Sequence, residues 1–301
     1  MNWKKVTVIV NRITGDSVIN ILEELGAQGV ALEELKDEKK NGDYIKLIAY
    51  YPNNENFSQI FSCLKNKVRK LKKFGFKVAG VEYNIELLQE KDWATSWHNY
   101  FHPLEIGKYF KVCPEWEECS SSDRYIIKIT PGMAFGIGGH ESTQLVLENM
   151  ENYFNDIFKN FKNINLLDIG TGTGILSIAA AKMGIENILA IDKEDAAVEA
   201  AAENIKINKV ENKIKIKKLN LLELPPKNKY DIILANLLTH IIINLFSRIY
   251  SLLSEEGLLI LSGVTDRNKE KIYSLISEFD LSLIKKTKKG DWVSFILKKD
   301  D

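Results

Sequence analysis

The chain has 301 residues, of which 45% are apolar and 27% charged, with 41 basic and 41 acidic side chains. That is enough apolar content for one large core and one small one. The charge balance excludes a global field of the kind that holds a protein on nucleic acid or an anionic membrane, so any such contact must be local.

The amino terminus, MNWKKVTVIVNRITGD, carries a β-branched run too short for a signal-peptide core or a membrane span, and the expected location is the cytoplasm. From Lys4 to Leu88 the pattern reads strand (KKVTVIV), helix (GDSVINILEELG), strand (GVALEELK), strand (YIKLIAYYP), helix (NFSQIFSCLKNKVRKLKKFG) and strand (KVAGVEYNIELL). This β-α-β-β-α-β order predicts a small ferredoxin-like α+β domain over residues 1–88. The second helix ends in the basic run KNKVRKLKKFGFK, which is either a solvated face complementing the helix dipole or a surface for docking a partner.

Residues 89–103, QEKDWATSWHNYFHP, place Trp93, Trp97 and Phe101 four apart, an aromatic stripe that predicts a connecting helix. His98 and His102 share that spacing, but no third ligand accompanies them and no metal site is expected. Cys63, Cys113 and Cys119 are odd in number and form no CxxC pair, which argues against a disulfide framework and for reduced thiols.

Residues 104–301 alternate strand and helix, the pattern of a doubly wound, mostly parallel α/β sheet. Its strands are INLLDIG, NILAIDKE, KIKIKKLNLLE, YDIILANLL and GLLILSGV. After the helix NKEKIYSLISEF, the runs LSLIKKTKK and DWVSFILKK meet at Gly290 and Asp291, so an antiparallel hairpin closes the chain.

The chemistry concentrates in LLDIGTGTGILSIAAAKMG, a strand followed by Gly170, Gly172 and Gly174 and then an alanine-rich helix. The dinucleotide fingerprint needs a third glycine where this chain has Ile175, and no Gly-Lys-Ser/Thr follows, so both phosphate-binding patterns fail on spacing. Asp192 closes the next strand about twenty residues later, where a carboxylate accepts two ribose hydroxyls. Asp168 either takes a hydrogen bond or an ammonium group from the ligand or braces the turn.

D-x-G-x-G-x-G with a later Asp and a terminal hairpin resembles the class I methyltransferases that use S-adenosylmethionine, a cofactor with a ribose, an ammonium and a carboxylate but no phosphate. With PGMAFGIGGHEST, ANLL and FHPLEIGKYFKVCPEW, the whole chain resembles the ribosomal protein L11 methyltransferase family, PrmA. The resemblance implies an enzyme whose first domain grips the ribosomal protein and whose second methylates its lysine or N-terminal amines. It places the cofactor against Thr143, Gly170, Asp192 and Asn236. The family's threonines in the glycine-rich segment are replaced here by Ile137 and Gly139, and Asn220 stands where many methyltransferases carry the acid that reads adenine.

Transfer from a sulfonium needs alignment and exclusion of water rather than a general acid. The amine must be uncharged, against an ordinary lysine pKa of about 10.4. Asn236 is the catalytic candidate, its amide carbonyl positioning the amine. Amine methyltransferases often follow this Asn with two prolines and a tyrosine, and Leu237 and Leu238 here imply a roomier pocket suited to repeated methylation. His140 is either a base or a loop histidine bonded to backbone. Two other functions compete: methylation of RNA or a small molecule, with the basic helix Lys65–Lys73 gripping ribosomal RNA, and a non-catalytic ribosome-binding module with a relic pocket.

Overall fold

The computed structural model describes residues 3–27, 30–34, 44–53, 56–76, 78, 80–88, 102–130, 138–157, 163–225 and 227–300. The chain divides into two compact units, Met1–Phe101 and His102–Asp301.

In the first unit, Val6, Val8 and Val10 alternate along β1 (Trp3–Asn11) and are fully buried, the period-two signature of a strand with one covered face. The cover comes from Val18, Ile21 and Leu22 of α1 (Arg12–Glu24) and from Phe57, Leu64 and Val68 of α2 (Phe57–Lys70). β2 (Val30–Glu34), β3 (Tyr44–Pro52) and β4 (Glu82–Leu88) complete an antiparallel sheet in the order β2-β3-β1-β4. That is the ferredoxin-like arrangement expected from the element order. Within the basic run, the Lys65 ammonium lies 4.4 Å from the Phe61 ring and 5.6 Å from Tyr83, a cation–π contact with the domain's own aromatics. The connecting helix expected at 89–103 lies outside the described residues except for its last two positions.

The second unit opens with a three-stranded sheet absent from the sequence reading: β5 (Leu104–Ile106), β6 (Phe110–Pro114) and β7 (Tyr125–Ile129). The main sheet follows. β8 (Asn165–Ile169), β9 (Asn187–Asp192), β10 (Ile214–Lys218), β11 (Tyr230–Asn236) and β12 (Leu253–Thr265) pair in parallel. β13 (Leu281–Lys289) and β14 (Trp292–Lys299) form the expected hairpin, and β14 adds antiparallel to β12. The strand order is β10-β9-β8-β11-β12-β14-β13.

Both faces of the sheet's centre are covered, so β8, β9, β11 and β12 are mostly apolar runs rather than alternating ones, whereas β10 (IKIKK) at one edge alternates. Leu166 and Ile232 join the core formed with β5–β7, α3 (Glu141–Ile157), α4 (Ile175–Met183) and α5 (Asp195–Ile207). Their neighbours Leu167 and Ile233 join the opposite core with α6 (Thr239–Leu252) and α7 (Lys269–Glu278).

The expectation of three reduced thiols is corrected for two of them. Cys113 and Cys119 are bonded sulfur to sulfur at 2.14 Å, while Cys63 is a free thiol. β6 ends at Pro114 and the chain turns back, bringing the two Cα atoms to 6.6 Å, a closure that a search for CxxC spacing does not see.

Glu151 of α3 ties the small sheet to the main one. Its buried carboxylate accepts hydrogen bonds from the backbone N–H groups of Lys108, at 2.9 Å, and Tyr109, in the β5–β6 turn. A Cβ at Gly107 would overlap that carboxylate. Glu151→Ala leaves two N–H groups without their charged acceptor and is expected to lower unfolding free energy by about 2–3 kcal/mol. Urea denaturation measures it, and a loss under about 0.5 kcal/mol would mean water replaces the carboxylate.

Candidate active site

In an open α/β sheet the strand order reverses at one point, and the crevice beyond the strands' carboxyl ends there is where a ligand finds backbone not already covered. Here the reversal falls between β8 and β11. Gly170 follows β8, Asp192 ends neighbouring β9 and Asn236 ends β11. Three of the four residues singled out for the cofactor therefore stand at one edge of the sheet. Thr143, buried in the first turn of α3, reaches them: the Asn236 side-chain N–H group donates to its hydroxyl at 3.2 Å.

The glycine turn needs its glycines. Gly170, Gly172 and Gly174 have φ of +67°, +56° and +81°, in the left-handed region that side chains disfavour. A Cβ at Gly170 would come within 2.5 Å of Leu237 Cδ2, and one at Gly174 within 3.3 Å of Ala201. The N–H groups of Gly170 and Thr171 both donate to the Ile191 carbonyl, at 2.9 and 3.0 Å, hanging the turn from β9.

Asp168, fully buried, accepts through one oxygen the hydroxyls of Thr171 and Ser177, each at 2.7 Å. Its other oxygen has no partner among the described residues. The bracing role left open for Asp168 is therefore the one its side chain performs here. Burial pushes its pKa from an ordinary 3.8 up to about 6; the two hydroxyls pull against that shift and the nearby Asp192 charge adds to it.

Asp192 is only partly buried and is anchored through both oxygens. One accepts from Gly172 N at 3.1 Å and the other from Glu194 N at 3.1 Å, an Asx turn ahead of α5. Each carboxylate oxygen keeps a second lone pair, so this anchoring leaves Asp192 able to accept from a diol.

His140 begins α3. Its carbonyl accepts from Thr143 N and Gln144 N, both at 3.1 Å, and its Nδ1 accepts from Ser142 N at 3.2 Å. An acceptor Nδ1 means a neutral ring, and burial holds the pKa below the usual histidine value despite Glu141. The Trp292 ring packs edge-on at 4.6 Å. This is the backbone-bonded loop histidine of the two readings. Asn220 is occupied as well: its side chain accepts from Leu222 N at 3.1 Å, capping the short turn that follows β10.

Sequence reasoning missed several residues that shape the site. Asn204 of α5 donates to the Thr173 carbonyl in the glycine turn at 2.9 Å and accepts from Thr130 N at 2.8 Å. Asn208, one turn on, accepts from Lys128 N and donates to Lys128 O, gripping β7. Two asparagines four apart in an alanine-rich helix were the available signal, since they share one face. Residues 131–137, the first half of the glycine-rich segment, lie outside the described residues. Among the described residues no three His, Cys, Asp or Glu side chains are grouped to hold a metal ion, and no helix is long and apolar enough to cross a membrane.

The donor set suits one kind of ligand. Carboxylates at the turn, with no lysine or arginine among Thr143, Gly170, Asp192 and Asn236, repel phosphate and accept from hydroxyl or ammonium groups.

Comparison with known proteins points to one family. The family model described as ribosomal protein L11 methyltransferase (PrmA) matches residues 2–300. The ribosomal protein L11 methyltransferase of Thermoanaerobacter pseudethanolicus is 34% identical over 316 residues, covering 99% of this chain and 100% of that protein. That of Bacillus subtilis is 33% identical over 318 residues, with the same coverage. The crystal structure of a ribosomal protein L11 methylase from Lactobacillus delbrueckii subsp. bulgaricus aligns with a TM-score of 0.60 at 32% identity, over 67% of this chain and 100% of that one.

The raised pKa of Asp168 makes stability depend on pH in a defined direction. Between about pH 4 and pH 6 the folded state holds a proton that the unfolded state has released, so stability falls as pH rises through that window. The full shift corresponds to about 3 kcal/mol, lost by neutral pH. Asp168→Asn keeps an acceptor for Thr171 and Ser177 and is expected to abolish this slope. Urea midpoints at pH 4.5 and pH 7 compare the two proteins, and an unchanged slope in the variant would assign the pH dependence elsewhere.

Proposed function

The chain belongs to the PrmA family of ribosomal protein L11 methyltransferases, and we infer from that premise that it transfers methyl groups from S-adenosylmethionine to amino groups of ribosomal protein L11. The observation that carries the reading at the level of chemistry is the link between Asn236 and Thr143 at 3.2 Å, made at the switch point beside the glycine turn and Asp192. It joins residues 93 positions apart, so the fold brings the two together at the strand ends. A family match over residues 2–300 takes in both units and sets aside RNA or a small molecule as the principal substrate.

The cofactor, when bound, supplies a methyl group activated on a positively charged sulfur. The chain's part is to hold, align and dry the reaction. We propose that Asp192 accepts the ribose hydroxyls, that the Gly170 backbone takes the amino-acid end, and that Thr143 and Asn236 close the pocket. With its N–H group donated to Thr143, the Asn236 amide turns its carbonyl oxygen the other way, where it can accept an N–H of the substrate amine and aim the nitrogen lone pair. The amine must arrive uncharged. Among the described residues His140 is no base, because it spends Nδ1 on the head of α3, and loss of the amine's proton is proposed to be driven by desolvation as the site closes. Leu237, in the place of a proline, packs its side chain against Gly170, and the space beyond it at Leu238, which is 46% exposed, is proposed to admit a nitrogen that already carries methyl groups. The first unit is proposed to grip the ribosomal protein, in the cytoplasm where that protein is made.

The test is incubation of the full chain with labelled S-adenosylmethionine and ribosomal proteins from cells lacking this gene. Label on ribosomal protein L11 is expected; label on RNA alone, or on nothing, sinks the reading. In the same assay Asp192→Ala is expected to raise KM for the cofactor by about 30- to 150-fold, the loss of about 2–3 kcal/mol for a carboxylate bound to two hydroxyls. Mass spectrometry of the product counts methyls per nitrogen, and a single methyl under excess cofactor contradicts the roomy pocket.

A further inference from the structure

We propose that Ser262 and Gly263 of β12, which contribute no group to the Thr143, Gly170, Asp192 and Asn236 set, are positioning residues that hold Asn236 against Thr143. The inference rests on the functional reading above and adds residues to it.

A closed ring carries the argument. Asn236 donates to the Thr143 hydroxyl at 3.2 Å. Thr143 is bonded through the chain to Ser142, whose carbonyl accepts the Ser262 hydroxyl at 2.9 Å. The Ser262 carbonyl in turn accepts from Leu237 N at 3.2 Å, and Leu237 is bonded to Asn236. Three hydrogen bonds and the chain itself thus circle from α3 through β12 to the end of β11. Ser262 is fully buried and is the parallel register partner of Asn236. Its hydroxyl therefore has one destination, and that destination is the residue beside Thr143.

The sheet is irregular here in the way the ring requires. The register between β12 and β14 shifts between Leu261 and Val264, so residues 262 and 263 leave the ladder on that side and can bond sideways. Gly263 has φ +81°, and a Cβ on it would strike the Leu237 backbone, with the carbonyl carbon at 2.7 Å. No side chain fits between β12 and the segment leaving Asn236. Leu237 is pinched from the other side as well, since its own side chain abuts Gly170. The position of Asn236 is therefore set jointly by the glycine turn and by the β12 bulge.

Cutting one bond of the ring should release Thr143 and Asn236 together. Ser262→Ala is expected to weaken binding of S-adenosylhomocysteine, measured by calorimetry, by about 10-fold and to lower kcat about as much, the loss of one buried hydrogen bond. On a Thr143→Ala background, where the ring is already open, the same substitution should change affinity by less than about 2-fold. Equal effects in both backgrounds, accompanied by a lowered unfolding midpoint, would reduce Ser262 to a structural residue and overturn the proposal. Gly263→Ala is the second variant and is read whether or not Ser262→Ala folds. It displaces the segment that carries Asn236 and abuts Gly170, so kcat should fall at least 10-fold and affinity for S-adenosylhomocysteine about 10-fold with it. Normal kcat in Gly263→Ala overturns the proposal. The binding measurements stand apart from the functional reading: wild-type protein that binds S-adenosylhomocysteine with this coupling but methylates no ribosomal protein would sink only that reading.

Discussion

The glycine turn after β8 depends on one buried carboxyl group. Asp168 holds Thr171 in the turn and Ser177 in α4 with a single oxygen, so the path of the turn and the start of the helix are set together. Hydrogen bonds to a charged acceptor are worth roughly 1.5–3 kcal/mol each, yet burial still drives the pKa up to about 6. Desolvation thus outweighs two good donors. The turn is kept in shape by a group that the fold would rather see neutral, and this is affordable because the backbone bonds to Ile191 and the Asn204 bond to Thr173 hold the same segment from outside.

From that turn the rest of the site follows by elimination. Apolar cores cover both faces of the main sheet, so a polar ligand can meet it only at the strand ends, and the ends diverge only where the order reverses. Gly170, Asp192 and Asn236 occupy that edge because β8, β9 and β11 end there. Thr143 arrives from outside the sheet on α3, whose seat is fixed by Glu151 at the β5–β6 turn and by Asn149, which donates to Thr287 and Ser294 of the terminal hairpin at 3.0 Å each. The β13–β14 hairpin, whose Thr287 and Ser294 lie 138 and 145 positions from Asn149, is in this sense part of the site's foundation.

Much of this was legible in the residues. β8, β9 and β11 are apolar runs of five to seven residues between turn signals, and such runs are read well because burial on both faces leaves no ambiguity of period. The small sheet β5–β7 escaped because its strands are three and five residues long and a turn at Gly107 interrupts them. The Cys113–Cys119 pairing escaped because it depends on a reversal of the chain rather than on spacing. Thr143 and Asn236 could be named only through family resemblance; nothing local in EST or ANLL says that they meet. Ser262 and Gly263 left a fainter trace, a serine and a glycine inside LLILSGV, where a strand buried on both faces has no use for either unless a backbone passes close by.

The choice of an amide at position 236 also follows from the reaction's electrostatics. A carboxylate there could accept the same N–H, but it would stabilise the ammonium form of the substrate and raise the pKa that must be lowered. Asp192 already places one negative charge in the site, and a carboxylate at position 236 would add another beside the amine. In the proposed site, a neutral acceptor at Asn236, oriented by the Thr143 hydroxyl at 3.2 Å, would align the nitrogen without stabilising its positive charge. The neutral His140 fits the same requirement: half-buried, with Nδ1 accepting from Ser142 N, it adds no positive charge at the head of α3. On the proposed reading, the carboxylate stands where a cofactor's hydroxyl groups would be bound, and neutral polar groups stand where an amine would lose its proton.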